Sequence, residues 1–457
     1  MGRYRELSYA GAGEMVFGRA VRPLRCGFDV EIGAGEVLPE VNYTLPPMEV
    51  SPQQLPSILE QYREMVSSVL SRAHILGVPG VVLEFEHAPQ MTAHVDIGVA
   101  ITRQTKALME EAYRAHGLRS ALRVTVCDIR DELRPPRLRT GHAADTMLRS
   151  FAANANSGAD LLSIESTGGK EVHDRALLEG DVRGILFALG VLAPRDMHFL
   201  WREIVRIAAE TGTVAAGDTA CGFANTAMVL ADRHYLPQVL AAVVRAMSAV
   251  RSLVAFEEGA IGPSKDCAYE GPVLKAITGV PISMEGKTSA CAHFSHMGNV
   301  AAAVCDLWSN ESVQNVRLLS GSAPEVFTEM LAYDCRLFNQ AISEKQDKVL
   351  QQLLVNSDVR HSVHALMIAP ESAITLARAI VATDDDFQRT RQAGLVGCGI
   401  VRQALDNGTL TLPPRELDWL AKVEDELAAC DEEEKALEHG YATYGELFAG
   451  EEYGLPK

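Results

Sequence analysis

GVVLEF at residues 80–85, LRVTV at 122–126, DLLSI at 160–164 and TVAA at 213–216 are the runs that decide the fold. Each is short and rich in Val, Leu or Ile, as strands buried on both faces should be. Three further runs follow: SLVAF at 252–256, PISM at 281–284 and VRLL at 316–319. The segments between them read as helices. The clearest spans 196–210, where Met197, Leu200, Trp201, Ile204 and Ile207 recur at helical spacing, Asp196 stands as an N-cap and Gly212 lies just past the end. Residues 236–247 and 300–308 are also apolar and helical. Repeated strand–helix–strand alternation implies a parallel sheet with right-handed crossovers. Seven candidate strands fit an α/β chain folded as a (β/α)8 barrel with one strand missed. A doubly wound open sheet fits as well, and periodicity does not separate the two.

Outward from this core the chain changes character. Residues 1–60 read as a loop-rich N-terminal extension, with Gly11, Gly13, Gly33, Gly35, Pro46 and Pro47. The barrel is expected over 61–340 and a helical C-terminal region over 341–457. Pro413 and Pro414 break that region before DELAACDEEE at 425–434, which reads as a solvated helix face.

Composition narrows the function classes. Of 457 residues, 47% are hydrophobic and 22% charged, which is globular usage. A formal net charge of -18 repels phosphate backbones and anionic membrane surfaces, so neither nucleic acid nor a membrane is an expected partner. No uninterrupted apolar run reaches the ~20 residues of a membrane span. Arg3, Arg5 and Glu6 near the start are followed by no apolar h-region, which leads to an expected cytoplasmic location. Nine cysteines, an odd number, argue against a disulfide framework.

Three motif fragments fail on inspection. Gly286-Lys287-Thr288 has Pro281 where a P-loop needs its first glycine. Gly33-Ala34-Gly35 has Leu38 where a dinucleotide fingerprint needs its third. Asp232-Arg233-His234 begins like a corrinoid-binding Asp-x-His-x-x-Gly signature, but Pro237 replaces the glycine, so this chain is not expected to carry a corrinoid.

Three strand ends carry polar residues that a core does not explain. They contain Glu165, Cys221 and Cys267. In a parallel barrel such loops converge on the C-terminal face, where active sites sit. One carboxylate and two thiolates make a three-ligand set for zinc with the fourth position open. Spread over about 100 residues, they match no short metal motif, and buried thiols without metal are the competing reading. Gly/Asp-rich loops set Cys221 and Cys267 apart from Cys127, Cys305, Cys335, Cys398 and Cys430, which lie in apolar or helical surroundings.

Longer motifs carry a resemblance. DLLSIESTGGKEVH at 160–173, GDTACGFANTAM at 217–228, GPSKDCAYE at 262–270, KAITGVPISMEGKTSACAH at 275–293 and LAYDC at 331–335 resemble the methanol:corrinoid methyltransferase family. So do CGFDVEIGAGEVLPEVNY at 26–43 and LEFEHAPQMT at 83–92. The likeness covers most of the chain and is weakest over the last 60 or so residues. It implies a TIM barrel with zinc held by Glu165, Cys221 and Cys267. It also implies a separate corrinoid protein as partner and a homodimer. The implied reaction is attack by cob(I)alamin of the partner on zinc-bound methanol, giving methyl-cobalt(III) and water. Asp218, Lys265, Asp266 and Glu84 are the polar groups placed to support the ligands. His293 and His296 are read as ordinary loop residues. Two rivals stand beside this reading: a zinc-dependent thiol methyltransferase fed by methylcobalamin, and a non-catalytic metal or corrinoid-partner scaffold.

Overall fold

Side chains in the sheet alternate between an apolar outer face and a polar inner one. The computed structural model describes residues 2–45, 48–267, 269–287, 296–313, 317–318 and 321–455. Its central strands are β1 (Leu38–Thr44), β2 (Val81–Glu86), β3 (Ser120–Val126), β4 (Leu161–Ile164), β5 (Val214–Asp218), β6 (Ser283–Glu285) and β7 (Leu307–Val313). All pair in parallel, in the order β5-β4-β3-β2-β1-β7-β6, and the sheet curls into a barrel. The eighth position is taken by an extended segment. Ile261 and Gly262 donate backbone hydrogen bonds to Ala215 and Ala216 of β5, each at 2.9 Å. Gly262 has φ +80°, and a Cβ there would lie 2.8 Å from the Pro281 carbonyl, so only glycine lets this segment approach the chain leading into β6.

The barrel is sealed at its N-terminal end. An antiparallel hairpin, Arg19–Cys26 with Val30–Ala34, presents Val30 and Ile32 to Leu38, Val82, Ala121, Leu161, Ala216 and Leu307. One layer further in, the barrel is not filled by branched apolar residues, as such interiors usually are. Glu40, Glu84, Arg123, Ser163, Ser283 and Ser309 occupy it, all fully buried. Arg123 donates to Glu40 at 2.6 Å, to Ser163 Oγ at 2.8 Å and to the Pro263 carbonyl at 3.2 Å. Ser283 donates to the other Glu40 oxygen. The outward side chains Val41, Tyr43, Leu83, Phe85, Val124, Leu162 and Ile164 belong to the main hydrophobic core.

Five local readings need correction. SLVAF at 252–256 is not a strand but part of the helix Gln238–Glu258. Residues 239–257 of that helix are all buried, so no polar face marks its period. By length and composition it is apolar enough to cross a membrane, yet the qualifying window is entirely buried within the fold. Residues 300–308 are not one helix: Gly298–Ala302 is helical and β7 begins at Leu307. Of VRLL at 316–319, the described residues Arg317–Leu318 pair with Gly321–Ser322 outside the barrel sheet. Two barrel strands were missed: β1, inside the stretch read as loop-like, and β7, whose first residues fall in the stretch read as helix. Asp196 does not cap its helix either. That helix starts at Ala193, and the buried Asp196 carboxylate accepts two bonds from Arg130, both at 2.8 Å. Gly212, in the left-handed region, ends it as expected.

Beyond residue 346 the described chain is helical, from Asp347–Asp358 to Glu433–Tyr444. In the acidic run, Leu427 and Cys430 point inward while Asp425, Asp431, Glu432 and Glu434 are exposed. Several ion pairs tie this region to the barrel, and one joint is centred on a histidine. His198 Nδ1 lies 2.6 Å from Glu258 and Nε2 lies 3.1 Å from Asp386, which also pairs with Arg3. Partial burial works against the imidazolium, but Asp386 and Glu258 outweigh it and raise its pKa above the ordinary value. Its contribution is therefore complete below about pH 6.5 and disappears as pH rises through the raised value. The melting-temperature gap between the wild type and His198→Gln should narrow from pH 6 to pH 9. An unchanged gap across that range would remove His198 as the titrating group.

Candidate metal centre

Glu165 follows β4 by one residue, Cys221 follows β5 by three, and Cys267 lies in the turn after the extended segment that fills the eighth position. All three therefore stand at the C-terminal mouth. One ligand atom from each, a carboxylate oxygen and two Sγ, lie within 4.8 Å of one another. Cys267 Sγ donates to Glu165 Oε1 at 2.9 Å. Cys267 is buried, whereas Glu165 and Cys221 are half-buried, so the open side lies toward these two. Ligand–metal lengths of about 2.0–2.3 Å place tetrahedral donors some 3.3–3.8 Å apart, so small side-chain shifts would let this set close on one zinc-sized ion.

The loops are held by buried hydrogen bonds. Asp218 Oδ1 accepts from the backbone N–H of Ser166 at 3.2 Å and of Thr219 at 2.8 Å, and Oδ2 accepts from Trp201 Nε1 at 2.9 Å. One carboxylate thus couples the Glu165 loop to the Cys221 loop without touching the ligand atoms. Asp128, itself clamped by Arg130, accepts from Thr167 N–H and Oγ1 at 2.9 and 3.1 Å. A Cβ on Gly168 would overlap Asp196, so the chain can turn there only as glycine.

Lys265 sits beneath the site, fully buried. Its ammonium lies 3.6 Å from Glu165 Oε1, 4.0 Å from Cys267 Sγ, 3.1 Å from Glu84, 3.4 Å from Glu86 and 2.5 Å from Asp266. Desolvation disfavours its charge, but Asp266, Cys267, Glu84 and Glu86 outweigh that and hold it protonated, well above the ordinary lysine value. Burial pushes Glu165 up to about 7 against the pull of Lys265. Burial likewise raises Glu84 well above the carboxylate range, and Thr125 donates to it at 2.6 Å. Asp266 accepts from Ser309 Oγ at 2.9 Å. The hydrogen bond with Cys221, then burial, holds the Cys267 thiol well above its usual value. A bound divalent ion would favour the deprotonated carboxylate and thiolates of Glu165, Cys221 and Cys267.

The structure thus brings Glu165, Cys221, Cys267, Lys265, Asp266 and Glu84 into one assembly, with Asp218 fixing the loops beside it. His296 lies elsewhere, lining a separate cavity of about 310 Å³ with His361 and His364. His293 lies outside the described residues. Two contributors escaped the sequence reading. Glu86 continues the inward alternation of Glu84 and accepts from Asn42 at 3.0 Å. Asn225, four residues after Cys221, donates to its sulfur at 3.4 Å. Helical spacing from a candidate ligand was the signal for the second.

The profile of the methanol-cobalamin methyltransferase B subunit matches residues 1–454. Over 461 aligned residues the chain is 40% identical to a methanol–corrinoid protein co-methyltransferase of Methanosarcina barkeri (strain Fusaro / DSM 804), covering 99% of each. Its fold is similar to a chain in the crystal structure of the methanol:cobalamin methyltransferase complex MtaBC from Methanosarcina barkeri. The TM-score is 0.95 at 39% identity, with full coverage of both chains. The match runs through the loops that carry Glu165, Cys221 and Cys267 and the barrel that presents them. The chain belongs to the methanol-cobalamin methyltransferase B subunit family.

Proposed function

We propose that this chain is a methyltransferase that passes the methyl group of methanol to the corrinoid of a separate protein, with zinc held by Glu165, Cys221 and Cys267. The observation that carries the reading is the convergence of these three donor atoms at the barrel mouth, in a chain of this family. When bound, zinc supplies Lewis acidity toward an alcohol oxygen, which hydroxide needs if it is to leave carbon. The protein's own residues do the rest. Glu165 and the two cysteines present three negative charges to the ion, and Lys265 offsets one of them from below. Asp218 and Asp128 hold the loops, so the ligands keep their places. The buried Lys265–Glu84–Asp266 layer closes the barrel underneath. A corrinoid can therefore reach the site only from the open mouth, and a separate partner must dock there.

The helical exterior is then free for self-association, and a homodimer is the expected assembly. The eight described cysteines are all unpaired, which suits a cytoplasmic location.

Metal analysis tests the site. The purified protein should contain about one zinc per chain, and Cys221→Ala or Cys267→Ala should lose most of it, because water replaces a thiolate ligand poorly. Full zinc content in both variants would remove the site as described.

A further inference from the structure

Asn225 stands at the end of the π-helical turn Cys221–Asn225 and is 4% exposed. Its Oδ1 accepts from Arg245 Nη2 at 3.2 Å while its Nδ2 donates to Cys221 Sγ at 3.4 Å. The arginine fixes the amide's orientation. A guanidinium has no acceptor, so it must meet the carbonyl end and leave the NH2 end for the sulfur. Arg245 comes from the fully buried helix Gln238–Glu258, is 1% exposed, and lies 5.2 Å over the Tyr269 ring. Its Nη2 also lies 3.4 Å from Met228 Sδ. Its Nε and Nη1 have no hydrogen-bond partner among the described residues. A buried cation left this incompletely satisfied is costly to the fold, so its position calls for a reason.

We propose that Asn225 and Arg245 are positioning residues for Cys221: they fix the sulfur in its ligand orientation and draw electron density from it, leaving the bound metal a stronger Lewis acid. The inference rests on the metal reading given above. It gives the two thiolates matching surroundings, since Cys267 has the Lys265 ammonium 4.0 Å away and Cys221 receives the field of Arg245 through one amide. Hydrogen bonds from a charge-polarised donor to an anionic acceptor are the stronger kind, and outer partners of this type tune ligand basicity.

The test uses the full chain loaded with zinc and, in parallel, with cobalt(II), whose sulfur-to-metal charge-transfer band reports thiolate donation directly. Asn225→Leu keeps the branched skeleton and removes the donor. Its zinc dissociation constant, measured by chelator competition, should rise about 10–100-fold. Its cobalt band should move to lower energy. Arg245→Met should move both in the same direction, and Arg245→Lys, which keeps the charge, should restore the band most of the way. Melting of the metal-free proteins separates these effects from folding. Arg245→Met leaves the turn's own sequence intact and decides the matter where Asn225→Leu does not fold. Wild-type affinity and an unshifted band in the folded variants would overturn the proposal. A wild-type protein that bound neither metal would instead overturn the metal reading on which it rests.

Discussion

Glu165→Gln is expected to slow methyl transfer from methanol to cob(I)alamin by about 100-fold or more, equivalent to ~2.7 kcal/mol of barrier. The substitution keeps shape and volume. It removes one negative charge and replaces the proposed zinc donor, a carboxylate, by a weaker amide. Stability should change little beyond the lost metal linkage, because the side chain is half-buried at the barrel mouth and its contacts are Cys267 and Lys265. Catalysis should suffer more, since the ion's position matters most where charge develops on the leaving oxygen. Glu171 is the control. It belongs to the same loop region, opens the helix Lys170–Glu179 and pairs with Arg134 at the surface. A partly exposed pair of that kind contributes ~0–1 kcal/mol, so Glu171→Gln should keep zinc and activity. The measurements are zinc content, thermal unfolding and methanol-dependent methylation of cob(I)alamin for both variants. Normal activity in Glu165→Gln with loss of zinc in Glu171→Gln would mean the wrong glutamate is named as ligand.

The contrast between these two glutamates shows how the sequence could be read. The convergence of Glu165 and Cys221 was legible because polar loops at strand ends meet in any parallel barrel, and long family motifs surround them and Cys267. Cys267 was placed after SLVAF, which is helix, and reaches the mouth through the extended segment that begins at Ile261. The strands β2 to β5 were legible from their Val- and Leu-rich runs. β1 was not, because Glu40 and Asn42 interrupt its apolar pattern, and both are buried inside the barrel. A test for continuous apolar runs rejects such a strand, although its period-two alternation with Val41 and Tyr43 is intact. The helix Gln238–Glu258 misled in the opposite sense, since burial on every side erases the period that distinguishes helix from strand. Arg245 was illegible for the same reason. Nothing local in an apolar helix says that one of its two guanidinium groups reaches a turn 20 residues upstream.

The polar layer that hid β1 carries the largest expected stability effect. Arg123→Met should destabilise the fold by ~3–5 kcal/mol, the usual cost of stripping one partner from a buried ion pair. Arg123 and Glu40 are both fully buried and 2.6 Å apart, and Arg123 also ties β3 to Ser163 of β4 and to the Pro263 carbonyl. Methionine fills much of the space but leaves the Glu40 carboxylate with Ser283 alone. Burial already pushes Glu40 above its ordinary range against the pull of Arg123. Without the guanidinium it should rise further and take a proton in preference to remaining a lone charge, which caps the penalty at low pH. A carboxyl whose folded pKa is raised binds its proton more tightly folded than unfolded, so this relief is lost as pH climbs through the folded value. The deficit of Arg123→Met, read as melting temperature against the wild type, should therefore widen from pH 5 to pH 8. Removing both charges should recover part of the loss, because an apolar pair leaves nothing unpaired. The double variant Glu40→Leu with Arg123→Met should melt above Arg123→Met at pH 8. A double variant no more stable than the single one, or a deficit independent of pH, would show that Arg123 acts through packing and not as the counter-charge of Glu40.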